Sequence, residues 1–491
     1  MDYLWWFVPV ITSPMLIALI ATLHVFISHY AVGGGVFLAW ELGNAYKNKD
    51  EEYVAYLHSH AKFFVLLTVV LGAITGVGIW WTIGLASPLA TEMLINIFVF
   101  GWATEWVFFV VELVAAFIFL YLWGKMPRRK HLAIGWIYAI SALISLNLIC
   151  GILGFMLHPS PEWMVMTDGG TSGANFFAAF LNSQYLPQSL ARAGAALVLA
   201  AVYVLFHASV TLKEDKIRLR NMIAERAGMF SVFGMILAVV GVYWAYSNLP
   251  ESAQMSLSRA PVLNIFFAAG VAAGAGLMLM LLMLTRNPRW LSPVAGIGML
   301  GMVLAAFTCA EFTREAVRKP YVIYDVVLSN QIRTHDVPRV QKEGVLGGGY
   351  WTRHHMGAKF PYLINADGTL SLDRVRKEDR EAVGHVIFMH HCNDCHAEGY
   401  GYSGLTPLAV SRSRAEKLHF IKNLDGMIYN MPPWCGTDRE AELLTDYLEK
   451  IAAKYPARKV RMKPVDGDIS GLDLDDDYEN FYGEDDFDPS E

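Results

Sequence analysis

Residues 13–43, SPMLIALIATLHVFISHYAVGGGVFLAWELG, contain no lysine or arginine and a single acid, Glu41. A helix crosses a hydrocarbon core in about 20 apolar residues, so this stretch reads as a membrane span with length to spare. Seven comparable stretches follow, near 62–88, 95–124, 132–157, 188–212, 228–248, 262–285 and 291–312. Composition agrees: the 491 residues are 54% apolar and 17% charged, against roughly 25% charged in soluble chains. The expectation is an all-α membrane protein with eight transmembrane helices. Met1-Asp2-Tyr3-Leu4-Trp5-Trp6 lacks the basic stretch and cleavage site of a secretory signal, so span one is expected to remain as an anchor.

Short loops set the orientation. Lysines and arginines follow spans one, three, five and seven: Lys47 and Lys49, Lys125 to Lys130, Lys213 to Arg220, Arg286 and Arg289. Loops 89–94, 158–187 and 249–261 carry few bases. The N-terminus, and after eight spans the C-terminal region, should therefore lie outside. The expected setting is a bacterial inner membrane, crossed many times, with the C-terminal part on its periplasmic face.

After Tyr321 the composition turns soluble. We divide the chain into a membrane domain (1–321), a connecting segment (322–385), a small helical domain (386–457) and a tail (458–491). Residues 466–491 hold twelve acids and no base, which explains the net charge of −6 and reads as a docking surface or charge guide for a basic partner. No nucleic-acid signature is present.

Cys392-Asn393-Asp394-Cys395-His396 is a CxxCH run, the signature of covalent haem c attachment. Two thioethers hold the porphyrin edge, and His396 takes one axial position on the iron. Met431-Pro432-Pro433 follows, then a helical pattern from Thr437-Asp438-Arg439-Glu440. This resembles class I cytochrome c, which implies Met431 as the second iron ligand. Met427 competes for that place, and the reading favoured for His390 and His391 is solvent exposure or a propionate contact.

Ionisable groups at bilayer depth are functional candidates. His24 lies about 16 Å into span one at 1.5 Å per residue, and a neutral imidazole there suits a haem iron; a histidine bonded between helices is the equal alternative. His29 lies on another face and reads more simply as structural. Glu105 and Glu112, seven residues apart in span three, share a helical stripe and could bind and pass protons, or serve as structural acids. Arg192 opens span five and could counter a carboxylate or a propionate. His207 is expected to be interfacial. Cys150 and Cys309 lie in apolar segments and read as small hydrophobes.

Together these residues resemble the large subunit of cytochrome bd oxidases over 1–321. In that family a first-span histidine and a glutamate of a Glu-x-Gly-Arg-Gln-Pro-Trp motif hold two high-spin haems of b or d type. His24, nine residues before Gly33, and Glu315-Ala316-Val317-Arg318-Lys319-Pro320-Tyr321 stand at matching places. The resemblance implies His24 and Glu315 as haem-iron ligands, and Arg318, Glu105 and Glu112 as catalytic groups. It also implies a second bd-type membrane subunit and admits further multihaem partners.

The departures are coherent. Arg192 and Phe266 or Phe267 stand where the family's low-spin haem has its histidine and methionine. The family's long quinol loop shrinks to Asn248–Pro261, its ninth span is gone, and CxxCH follows instead. The expected function is an oxidase that takes electrons from a soluble or membrane cytochrome c through its own haem c and reduces O2 to water. The alternative is an electron-transfer subunit between periplasmic cytochromes and another membrane complex, without O2 chemistry.

Overall fold

The computed structural model describes residues 3–213, 215–259, 261–428 and 430–454. The acidic tail lies outside the described residues.

Eight helices are long and apolar enough to cross a membrane. They are α1 (Ser13–Asn48), α2 (Glu51–Ala86), α3 (Val99–Tyr121), α4 (Arg128–Leu157), α5 (Tyr185–Thr211), α6 (Ile217–Ser247), α7 (Pro261–Arg286) and α8 (Pro293–Val317). Helix is the form that satisfies every backbone group of such a segment internally. Proline stands in the first turn of α1 and α8, where no intrahelical donor is lost. Asp50 caps α2 by accepting from the Tyr53 amide, and Ser292 caps α8 by accepting from Ala295.

Two helix starts differ from the sequence expectation. α2 begins at Glu51 rather than near 62, and α6 at Ile217 rather than near 228. Both extensions are charged, which hides them from an apolarity criterion. They also pair with each other, through Arg218 to Asp50 at 2.9 Å and to Glu52 at 2.8 Å, and Lys216 to Glu52 at 2.8 Å. These exposed pairs gather the basic loops at one end of the bundle.

α5 is the most buried span and the hub of the core. α1 meets it at Gly33, where a Cβ would stand 1.9 Å from the Ala196 carbonyl oxygen. α6 meets it at Gly234, where a Cβ would stand 2.7 Å from the Gly194 oxygen. Small residues of this kind let apolar helices approach closely enough for dispersion to hold them.

Beyond α8 the chain turns through a small antiparallel hairpin, β1 (Tyr321–Ile323) and β2 (Val327–Leu328). Short helices then lead to a compact helical unit. Its main elements are α9 (Arg380–His391) and α10 (Asp438–Lys454). These cross at Gly384, where a Cβ would lie 2.3 Å from the Leu443 oxygen. Phe388 packs on Tyr447 beside the crossing, ring centroids 5.7 Å apart.

Thr437 and Glu440 form a reciprocal cap on α10: Glu440 N donates to Thr437 Oγ1 and Thr437 N to Glu440 Oε2. Fully buried, the same carboxylate also accepts from the amides of Val345 and Leu346 at 3.0 and 2.8 Å. One side chain thus ties the connecting segment to the helical unit.

Candidate functional site

The CxxCH strip continues α9 as one more helical turn. The Cys392 carbonyl accepts from the Cys395 and His396 amides at 3.0 and 2.9 Å. Residues three apart on such a turn lie on the same side, so both free thiols can reach one flat ligand. His396 Nδ1 sits 2.7 Å from the Ser403 carbonyl oxygen. That bond fixes the tautomer and leaves Nε2 for a metal. Burial holds the imidazole below its usual pKa, and the Lys319 ammonium acts in the same sense, favouring the neutral ligand form. These residues fit a haem.

Of the two candidate methionines, Met431 is half-buried, whereas Met427 is 53% exposed. For the adjacent histidines the solvent-exposed reading is corrected. His390 and His391 are buried, because α9 turns that face into the core. His391 Nε2 accepts from the Cys435 amide at 3.0 Å, and the His390 ring packs edge-on against Trp5 at 4.8 Å.

The strip sits directly on the bundle, at the end opposite the basic loops. Ser13, which opens α1, donates to Asp394 at 3.4 Å. Asn393 donates to the Trp6 carbonyl at 3.3 Å and the Tyr402 amide to the Val10 carbonyl at 2.7 Å. Cys395 lies 3.8 Å from the Ser329 hydroxyl. Lys319, past the end of α8, interacts electrostatically with Cys395, Asp394 and Glu315. Asp394 is pushed up to about 7 by burial, against the pull of Lys319 and Ser13.

Glu315 is engaged by Arg318 and, at 3.8 Å, by Lys319. Arg318 is buried and also donates to the Val322 carbonyl at 2.7 Å, pinning the end of α8 to β1. Four residues earlier stands an acid the sequence reading missed. Glu311 is buried between Arg314 at 2.9 Å and Arg192 at 3.5 Å. Next to it, Phe312 stacks on Phe266 with centroids 4.1 Å apart, whereas Phe267 is exposed. Arg192 and Phe266 therefore converge on adjacent residues of α8. The i, i+4 spacing of Glu311 and Glu315 was the available signal; its buried partner, Arg192, was not visible without the fold.

His24 is half-buried, with Nδ1 3.1 Å from Thr75 Oγ1 of α2, which leaves Nε2 for a ligand. Gly76 faces the ring: a Cβ there would lie 3.3 Å from His24 Cε1. A π-helical turn at Leu66–Leu71 precedes this contact. His29 is buried against Phe307, with Nδ1 on the Val25 carbonyl at 3.0 Å.

Glu105 and Glu112 lie on the half-buried stripe of α3 with Phe108. Glu105 accepts from Ser145 of α4 at 2.8 Å, while Glu112 keeps a buried oxygen without a partner among the described residues. No hydrogen bond or ion pair among the described residues joins either acid to His24 or Glu315. No group of three or more metal-binding side chains is present among them either.

His207 is not interfacial. It is buried because α2 covers it with His60, 4.9 Å away, and Phe63, 5.2 Å away.

Comparison with known proteins agrees with the bundle. Residues 13–255 match the family model "Cytochrome bd terminal oxidase subunit I". No curated protein matches the chain. Among solved structures, the bd oxidase of Geobacillus thermodenitrificans is similar at a TM-score of 0.55 and 16% identity. The similarity covers 63% of this chain and 87% of that one, and at such identity it shows the fold. The eight-span region is thus similar, in part, to cytochrome bd terminal oxidase subunit I: the family model matches just under half of the chain, and the solved structure shares the fold of its multi-pass bundle.

Proposed function

We propose that the chain is the large subunit of a bd-type oxygen reductase that draws electrons from a cytochrome c rather than from quinol. Cys392, Cys395, His396 and Met431 would hold a covalent haem, and His24 and Glu315 would hold haem in the bundle; bound there, it would supply electron transfer and oxygen binding. The remaining work falls to side chains. Ser403 orients His396 and Thr75 orients His24. Glu105 and Glu112 hold protons along α3, and Arg318 keeps the Glu315 end of α8 in place.

One observation carries the reading. The CxxCH strip rests on Ser13 and Trp6 at the mouth of the bundle and interacts electrostatically with Lys319, which is four residues along the chain from Glu315. A covalently tethered electron carrier there needs no quinol entrance. The resemblance puts Arg192 and Phe266 where the family has its low-spin haem ligands, and here they engage Glu311 and Phe312; residues 248–260 join α6 to α7. Expected partners are a second bd-type membrane subunit, a cytochrome c donor, O2 and further multihaem subunits, with the helical unit on the periplasmic face of the inner membrane. A second reading, electron transfer without O2 chemistry, is favoured by the engagement of Glu315 with Arg318 and Lys319.

Pyridine haemochrome and carbon monoxide difference spectra of the purified complex separate the two. The oxidase reading expects haem c together with a CO-reactive haem that His24→Ala abolishes. Haem c alone would refute it.

A further inference from the structure

The half-buried Glu105–Glu112 stripe is not the only polar cluster in the bundle. A second cluster begins at the basic end, where Glu41 of α1 is fully buried. Its carboxylate accepts from Tyr53 of α2 at 3.1 Å and from Asn44 at 3.3 Å, with Arg226 of α6 at 3.8 Å. The Tyr53 ring lies parallel to Tyr56, one turn on, at 6.3 Å. Tyr56 in turn faces His207 of α5 at 5.6 Å and His60 at 6.1 Å.

His60 and His207 lie 4.9 Å apart, both more than nine-tenths buried. Each keeps a buried Nδ1 with no partner among the described residues. His60 Nε2 is hydrogen-bonded to the Tyr30 hydroxyl at 3.1 Å. Tyr30 reaches it by lying along α1 over Gly34, where a Cβ would come within 2.9 Å of the tyrosine ring. Its ring is stacked on Tyr203 of α5 at 4.0 Å. The cluster thus runs from the basic end, through α2 and α5, toward the middle of α1.

Two neutral imidazoles with open nitrogens in an apolar bundle are costly to bury and poor as packing units. Imidazole is also the side chain best matched to accepting and releasing protons near neutral pH. We propose that Glu41, Tyr53, Tyr56, His60, His207 and Tyr30 form a proton-uptake route from the basic, cytoplasm-directed end, separate from Glu105 and Glu112. A proton enters at the Glu41 carboxylate and passes to an imidazole nitrogen of the His60–His207 pair, with water completing the steps between rings. It leaves when the Tyr30 hydroxyl releases its own proton inward and is reprotonated by His60. Each step moves one proton and restores the donor. The consumer of these protons rests on the oxidase reading; the route itself requires only that charge be added to the bundle on reduction.

The test is therefore proton uptake from weakly buffered solution, followed with a pH dye when the purified complex is reduced chemically. Oxygen consumption with reduced cytochrome c is measured beside it. Tyr30→Phe keeps the stack on Tyr203 and removes only the hydroxyl; His207→Leu removes one imidazole. With haem content unchanged, each should slow uptake by roughly tenfold or more, the scale of losing a positioned proton-transfer group. Phe63→Leu, in the same aromatic cluster but without a titratable group, should leave it unchanged. Should His207→Leu lose haem, Tyr30→Phe decides. Wild-type uptake rates in Tyr30→Phe would overturn the route, as would equal slowing by Phe63→Leu. A wild type that consumes no oxygen while Tyr30→Phe still slows uptake would remove the oxidase reading and leave the route standing.

Discussion

The two ends of the bundle are built differently. At the basic end Asp50, Glu52, Lys216 and Arg218 meet in exposed ion pairs, which solvent screens and which contribute little each. At the other end Ser13, Trp6 and Ser329 hold the CxxCH strip through partly buried contacts, and the Val10 carbonyl accepts from Tyr402 just beyond it. The first arrangement sets orientation and tolerates change. The second fixes the position of the strip, as the proposed electron delivery would require.

Substitutions can break that contrast. The largest effect is expected at Gly384, where any side chain meets the Leu443 backbone. Gly384→Val should cost the helical unit about 3 kcal/mol through overpacking, read as a lowered melting midpoint of the haem c absorbance.

Trp5→Ala, which removes a ring packed between His355 and His390, should cost about 2 kcal/mol of apolar burial. It should show as faster proteolytic release of the helical unit from the membrane. Arg218→Ala at the other end should cost less than about 1 kcal/mol and leave haem spectra untouched. A comparable loss there would erase the distinction between the ends.

The smallest effect concerns Cys435. Burial pushes its thiol up to about 12, far from the thiolate that alkylating reagents need. The folded protein should not be labelled there at pH 8, and should be after denaturation.

Legibility in the sequence follows the range of the interactions. The eight spans depend on local composition, and eight helices of that kind appear in the structure. The charged first turns of α2 and α6 were not legible in this way, because their partners lie on each other. Glu311 was overlooked because Arg192, which compensates it, is 119 residues away in sequence. His207 was misplaced for the same reason: its neighbours His60 and Phe63 belong to α2. His390 and His391 look exposed as a polar pair, yet Trp5 and the Cys435 amide bury them from distant points of the chain.

In the proposed function the CxxCH strip is the electron entrance. Oxygen consumption by the purified complex, compared with its Cys392→Ala/Cys395→Ala variant, tests it most directly, using reduced cytochrome c and menaquinol in turn. The wild type should turn over with cytochrome c and not with menaquinol. That turnover should be lost in the variant, with its CO-reactive haem retained. Equal turnover of both proteins with menaquinol would contradict the proposal.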